Sequence, residues 1–147
     1  IAAAMRRGRA TPLRNEAVHI TRPGGDFWIA GVADMHSRSN PASVPHTMAT
    51  VTDDAPVIAI THWPDPFEQM PPRVALTLAG HTHCGQINLP LIGRPVLPSP
   101  ASYRWPCGPY DVGGRKLFVT GGVGVSILPA RFRAPPEIVI VTLRAPE

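Results

Sequence analysis

The sequence predicts a sheet-rich α/β layer, with α+β as the alternative. Two observations carry this. Apolar runs rich in β-branched residues recur at strand length, notably 57–61 and 74–78. The connections are dense in helix breakers, with 19 Pro and 13 Gly among 147 residues, too many for long helices. No heptad or internal repeat runs through the chain, and the later strands have little helix between them.

Along the chain, residues 1–9 are Ala-rich and read as the end of a helix, closed by Gly8 and Pro12. Residues 16–20 alternate as a strand, and Pro23-Gly24-Gly25-Asp26 is a turn signal. With 27–32 returning as a strand, the pair predicts a hairpin. Residues 37–45 are polar loop, and 45–51 predict a short helix. The run 57–61, bounded by Pro56 and Pro64, predicts a buried strand; 65–70 reads as a helical turn. Another buried strand spans 74–78 and ends at Gly80. Residues 86–115 are Pro- and Gly-rich with a turn at Gly113-Gly114, and further strands are predicted at 117–120 and 138–143. Gly121-Gly122-Val123-Gly124 fits neither a dinucleotide nor a phosphate loop and reads as a tight turn.

Composition removes whole classes. A chain 44% hydrophobic and 16% charged is no disordered tail. At 147 residues it has the length of one domain. The net charge is only +4, and every basic residue except Lys116 is Arg. These arginines are scattered rather than clustered with aromatics, so no nucleic-acid partner is expected. No apolar run approaches a membrane span, and the arrangement of Ile1–Met5 before Arg6 and Arg7 is the wrong order for a signal peptide. The start at Ile1 suggests a piece of a longer gene product. Cys84 and Cys107 form no C-x-x-C motif and no disulfide framework, and their pairing stays open.

Chemistry concentrates at 74–90, VALTLAGHTHCGQINLP. An apolar strand runs into Gly80, where a sharp backbone turn is expected. His81 and His83 come next; at i and i+2 of an extended backbone they share a side. A second strand, 57–61, delivers His62 at its tip, ahead of Trp63, Pro64 and Asp65. Neutral imidazole is the commonest metal ligand, and strand ends are where α/β sites gather. Trp63 either shields such a site or simply packs. Arg131 and Arg133 are candidates for phosphate contact, with a surface role as the alternative. His19 and His46 read as surface residues.

These residues carry a resemblance. Gly80-His81-Thr82-His83, with Gly85-Gln86 and Leu89-Pro90 behind it, resembles the G-H-T-H-G-G-Q segment of calcineurin-like metallophosphoesterases. Thr61-His62-Trp63-Pro64-Asp65 is similar to that family's separate histidine motif. Pro129-Ala130-Arg131-Phe132, running on to Pro135-Pro136-Glu137-Ile138, is similar to the ending of bacterial members, which often carry an N-terminal membrane helix. The stretch from Asn15-Glu16 to Asp34 resembles the segment after the family's G-N-H-D motif. The resemblance implies a two-sheet β-sandwich flanked by helices and a metal-dependent phosphoester hydrolase. It implies two divalent ions (Mn, Fe or Zn), with His62 and His81 on one and His83 on the other. A phosphoester substrate and a bacterial, cytoplasmic or membrane-associated setting are likewise implied.

The departures limit what the chain does alone. Asp34-Met35-His36 matches Asp-x-His literally, yet no Gly stands between Ser37 and Thr61 to continue the family's order of motifs. Asp34 and His36 therefore read as loop residues. Residues 1–147 are expected to be the C-terminal portion of one phosphoesterase domain. The bridging carboxylate, the general acid and any membrane segment are expected outside them, and the chain alone is expected to be inactive or nearly so. Cys84 stands where the family usually has Gly.

Three other classes compete. A cupin-like H-x-H enzyme wants a Glu soon after His83, and none occurs before Glu137. An anion-binding β module and a mononuclear zinc site from His81, His83, Cys84 and Cys107 remain as non-phosphatase alternatives.

Overall fold

The computed structural model describes residues 2–144. Among them, helix α1 spans Ala2–Arg7 and strand β1 Glu16–Ile20. Strand β2 (Phe27–Gly31) pairs antiparallel with β1, joining Glu16 to Gly31 and Ile20 to Phe27. This is the expected hairpin. Helix α2 covers Val44–Ala49, capped by the Ser43 side chain on the His46 N–H. Strands β3 (Val57–Ile60) and β4 (Val74–Ala79) run parallel, separated by a 3-10 turn at Asp65–Gln69. Helix α3 (Pro100–Arg104), capped by Ser99, precedes β5 (Gly108–Val112) and β6 (Arg115–Val119), an antiparallel pair around Gly113-Gly114. The six strands form one mixed sheet in the order β1-β2-β3-β4-β6-β5, so the fold is α/β.

The two faces of this sheet differ. Trp28 and Ala30 of β2 and Val57 and Ala59 of β3 point to one face, with Leu117 and Val119 of β6. Val44, Phe67, Met70, Ala101 and Trp105, from α2, the 3-10 turn and α3, close over it. Phe67 and Trp105 meet edge to face at 5.0 Å. Arg115 fastens the 3-10 turn by donating to the Met70 carbonyl at 3.0 Å. The opposite face carries Ile29, Ile58, Ile60, Leu76, Leu78 and Phe118, and it is only partly covered. Ile60 is 43% exposed, although its strand is an unbroken apolar run of the kind that parallel sheets bury on both sides.

Two elements were absent from the sequence reading, α3 and β5. Both lie in the Pro- and Gly-rich stretch, where Pro100 starts a helix and Pro109 sits on an edge strand, the positions proline tolerates. One expectation fails. Residues 138–143 form no strand, and Ile138 and Ile140 are 84% and 89% exposed. The Glu137 N–H still donates to the Gly122 carbonyl at 3.0 Å, and no ladder follows it among the described residues. A strand exists only where a neighbour completes its ladder, and none of the described residues lies beside this segment to do so.

Candidate metal centre

The parallel strands β2, β3, β4 and β6 bring their C-terminal ends to one rim. Pairing continues past the strands themselves. The Thr61 N–H donates to the Leu78 carbonyl (2.9 Å), that of Gly80 to His62 (3.1 Å) and that of Thr120 to Ala79 (2.9 Å). A cleft of about 890 Å³ opens here, bounded by Asp34, Thr61, His62, Gly80 and Thr120 and floored by the open apolar face.

His62 and His81 meet at this rim, with His81 Nδ1 2.8 Å from His62 Nε2. One of these nitrogens holds a proton and the other a lone pair. Burial, then the neighbouring His62 and His83, holds the His81 ring below its ordinary pKa, which favours the neutral, ligating form. Trp63 is buried and lies against the His81 ring, centroids 3.5 Å apart. Its indole also meets His36 edge-on and donates to Asp34 Oδ2 at 3.4 Å. The tryptophan is thus a wall of the site as well as a packing residue. Asp34 sits on the loop after β2, turned by the His36 N–H onto Oδ1 at 2.8 Å.

The conformation of the histidine segment differs from the extended one expected. His81, His83, Cys84 and Gln86 all have positive φ, at 67°, 50°, 54° and 51°. Gly80 does not, and a Cβ there would meet nothing nearer than 3.9 Å. The sharp turning therefore falls on the histidines, not on the glycine. Such left-handed non-glycine residues cost about 1–3 kcal/mol each and persist where the surroundings over-determine them.

What holds the segment is visible. Gln86 donates to the Ser126 and Leu128 carbonyls and accepts from the Ser126 N–H at 2.7 Å. The His83 Nδ1 lies 3.1 Å from the Gly124 carbonyl. Arg131 Nη2 lies 3.3 Å from the same nitrogen. An acceptor and a donor thus hold Nδ1 between them and leave Nε2 as the outward nitrogen; a partner of this kind commonly orients a metal-binding imidazole. Arg131, a phosphate candidate in the sequence, is instead spent on main-chain carbonyls. Its guanidinium donates to Gly121 (2.6 Å), Gly122 (3.1 Å), Gly124 (2.9 Å) and Ala134 (3.1 Å). No donor is left for an anion.

The alternative zinc set also loses its thiols, because Cys84 and Cys107 form a disulfide with Cα atoms 4.8 Å apart. Among the described residues, the trio of ligand-type side chains within 4.8 Å of one another is Cys84, Cys107 and Glu137. The ligand atoms of His62, His81 and His83 do not all lie within 4.8 Å of one another. The donor set at the rim, imidazoles with a carboxylate in the same cleft, fits a borderline divalent ion.

Two structural roles escaped the sequence reading. Asn15, at φ 60° and buried, accepts from the Ala33 and Ser43 N–H groups at 2.9 and 3.0 Å. It also donates to Asn40 and to the Pro41 carbonyl. The other is the carbonyl clamp of Arg131. Asn15 joins residues distant in sequence, and Arg131 gathers carbonyls of its own irregular loop; spacing carries no signal of either.

Comparison with known proteins decides the family. The chain is 37% identical over 100 residues to the uncharacterized metallophosphoesterase YkuE of Bacillus subtilis, covering 67% of this chain and 35% of that protein. It is 32% identical over 137 residues to the phosphodiesterase YaeI of Escherichia coli, covering 90% and 47%. A transmembrane protein with metallophosphoesterase domain from Danio rerio is 30% identical over 144 residues, covering 90% and 32%. The chain belongs to the calcineurin-like metallophosphoesterase family. This metallophosphoesterase-family chain spans about a third to a half of the length of the curated relatives it matches. No family profile and no solved structure matches it. Among the described residues, no helix is long and apolar enough to cross a membrane.

Proposed function

We propose that this chain supplies part of the active site of a phosphoester hydrolase that uses two divalent metal ions, Mn, Fe or Zn. The observation that carries the proposal is the His62–His81 pair, two ring nitrogens facing each other at 2.8 Å on the tips of adjacent parallel strands. His62 and His81 would hold one ion and His83, through Nε2, the other. Ions bound there would polarise the phosphoryl oxygens and acidify a bridging water. The chain's own residues prepare the site. The strand ladder fixes His62 against Gly80, Trp63 keeps water off one side of the His81 ring, and Gly124 and Arg131 orient the His83 ring through Nδ1.

We further propose that residues 1–147 are the C-terminal portion of one phosphoesterase domain. The open apolar face and the ladderless segment 138–143 support this reading, since each lacks a covering layer. The bridging carboxylate and the general acid would come from the remainder. A phosphodiester or phosphomonoester substrate accords with the same family reading, and the name of the Danio rerio relative supports a membrane-associated setting for the whole protein.

Hydrolysis of bis(p-nitrophenyl) phosphate with added Mn²⁺ tests the proposal. The intact gene product is expected to turn over, and to lose at least about a hundredfold in rate on His81→Ala, as for removal of a direct ligand. Residues 1–147 alone are expected to be nearly inactive. Robust metal-dependent turnover by the isolated chain would overturn the partial-site reading. Unchanged turnover in His81→Ala would overturn the ligand assignment.

A further inference from the structure

We infer that the Cys84–Cys107 disulfide is a positioning device for His83 and that its reduction releases that ring. The inference rests on the reading of His83 as a ligand, and it concerns a pair of residues to which that reading gives no part.

Cys84 directly succeeds His83 in the chain, and both have positive φ. One end of the bridge is a firm anchor. Cys107 lies just before β5, and the Tyr110 hydroxyl brackets it, donating to its carbonyl at 2.9 Å and accepting from its N–H at 3.2 Å. The other end is buried. The Cys84 sulfur rests on Gly121 so closely that a Cβ there would lie 2.6 Å from it. Gly121 opens the loop whose Gly124 carbonyl holds His83 Nδ1. A single sulfur therefore touches both parts of the arrangement: the backbone that carries the imidazole and the loop that orients it. The remaining ties on this segment are hydrogen bonds, such as Arg94 Nε to the Cys84 carbonyl at 2.8 Å and the three that Gln86 makes with Ser126 and Leu128.

Cys107 is half-buried and Cys84 buried, so Cys107 is the more accessible residue of the pair. A dithiol reductant attacks it as thiolate, forms a mixed disulfide and expels Cys84 as thiolate, which takes up a proton. The second thiol of the reductant then displaces Cys107 and leaves as an intramolecular disulfide. Two electrons and two protons pass to the protein. Two free thiols need more room than a bonded pair, and Gly121 offers none on its side. The displacement passes to residues 121–124 and to His83.

The test compares the oxidised chain, the chain reduced with a small dithiol, and Cys84→Ala/Cys107→Ala as a thiol-free reference, all without metal. Long-range ¹H–¹⁵N spectra at about pH 8, where imidazole is neutral, read the His83 tautomer. Amide exchange reads the loop and the sheet separately. The oxidised chain is expected to show a single tautomer of His83. The other two are expected to show both tautomers, with exchange at 83–86 faster by about tenfold or more and amides of β3 and β4 unchanged. An unchanged tautomer and unchanged loop protection on reduction would overturn the inference. So would exchange that accelerates equally in loop and sheet, because the bridge is then a staple for the whole fold. Mn²⁺ added to the same samples reports separately on the ligand reading, through paramagnetic broadening of the His62, His81 and His83 rings. No broadening in the oxidised chain defeats that reading and leaves the tautomer result standing on its own.

Discussion

Asn15 shows how one side chain can fix a loop. Its amide oxygen accepts from two main-chain N–H groups across 18 and 28 residues of sequence, and its amide nitrogen serves the 40–41 turn. Replacing it by Leu strands those buried donors, each at about 1–3 kcal/mol, and places a branched residue at positive φ. We expect Asn15→Leu to lower stability by about 3 kcal/mol, read as a fall in urea midpoint at constant slope. Asp53 acts through charge. The Trp28 indole N–H at 2.8 Å, then the Ala55 N–H, hold its carboxyl below the ordinary value. The stabilisation this gives is present above the ordinary Asp pKa of about 3.9 and is lost as pH falls through the lowered folded value. Asp53→Asn should therefore flatten the stability profile below about pH 4 and leave its shape above that pH unchanged. An unaltered acid limb in that variant would refute the assignment.

At the scale of elements, the strands were legible because their apolar runs and Pro boundaries are local facts. The hairpin 16–31, both parallel strands with their terminal histidines and the Gly113-Gly114 turn stand where the sequence puts them. The segment 138–143 was misjudged for the complementary reason. Its β-branched pattern is real, but a ladder is a property of two segments, and pattern reports on one. The histidine loop was misjudged similarly, since H-x-H spacing describes an extended chain and the fold bends it. Thr77 gives an element-scale prediction. Its hydroxyl is fully buried in β4 without a partner. Thr77→Val should raise stability by about 1 kcal/mol by removing an unsatisfied polar group, measured by thermal or urea unfolding. Arg131 gives another. It gathers carbonyls from 121–124 and from 134, which a single ammonium cannot reach together. Both Arg131→Ala and Arg131→Lys should cost about 2–4 kcal/mol, and full retention of stability in the lysine variant would contradict that role.

For the whole molecule, one sheet with one finished face organises everything else. Helices and turns cover the Trp28–Val119 side, while Ile60 and Leu78 on the other side border the cleft that reaches His62. The His62–His81 pair lies where the strand-end rim meets the open face. Family membership was legible from G-H-T-H and its neighbours. The clamp of Gln86 and the disulfide around that motif was not, because each of these ties spans 20 or more residues.

Calorimetric titration of the oxidised chain with Zn²⁺ tests the central claim most directly, since its cysteines are then unable to ligate. The account predicts that the tightest site weakens at least about tenfold in His62→Ala and in His81→Ala and is untouched in His46→Ala. Equal affinity in all four proteins would contradict it.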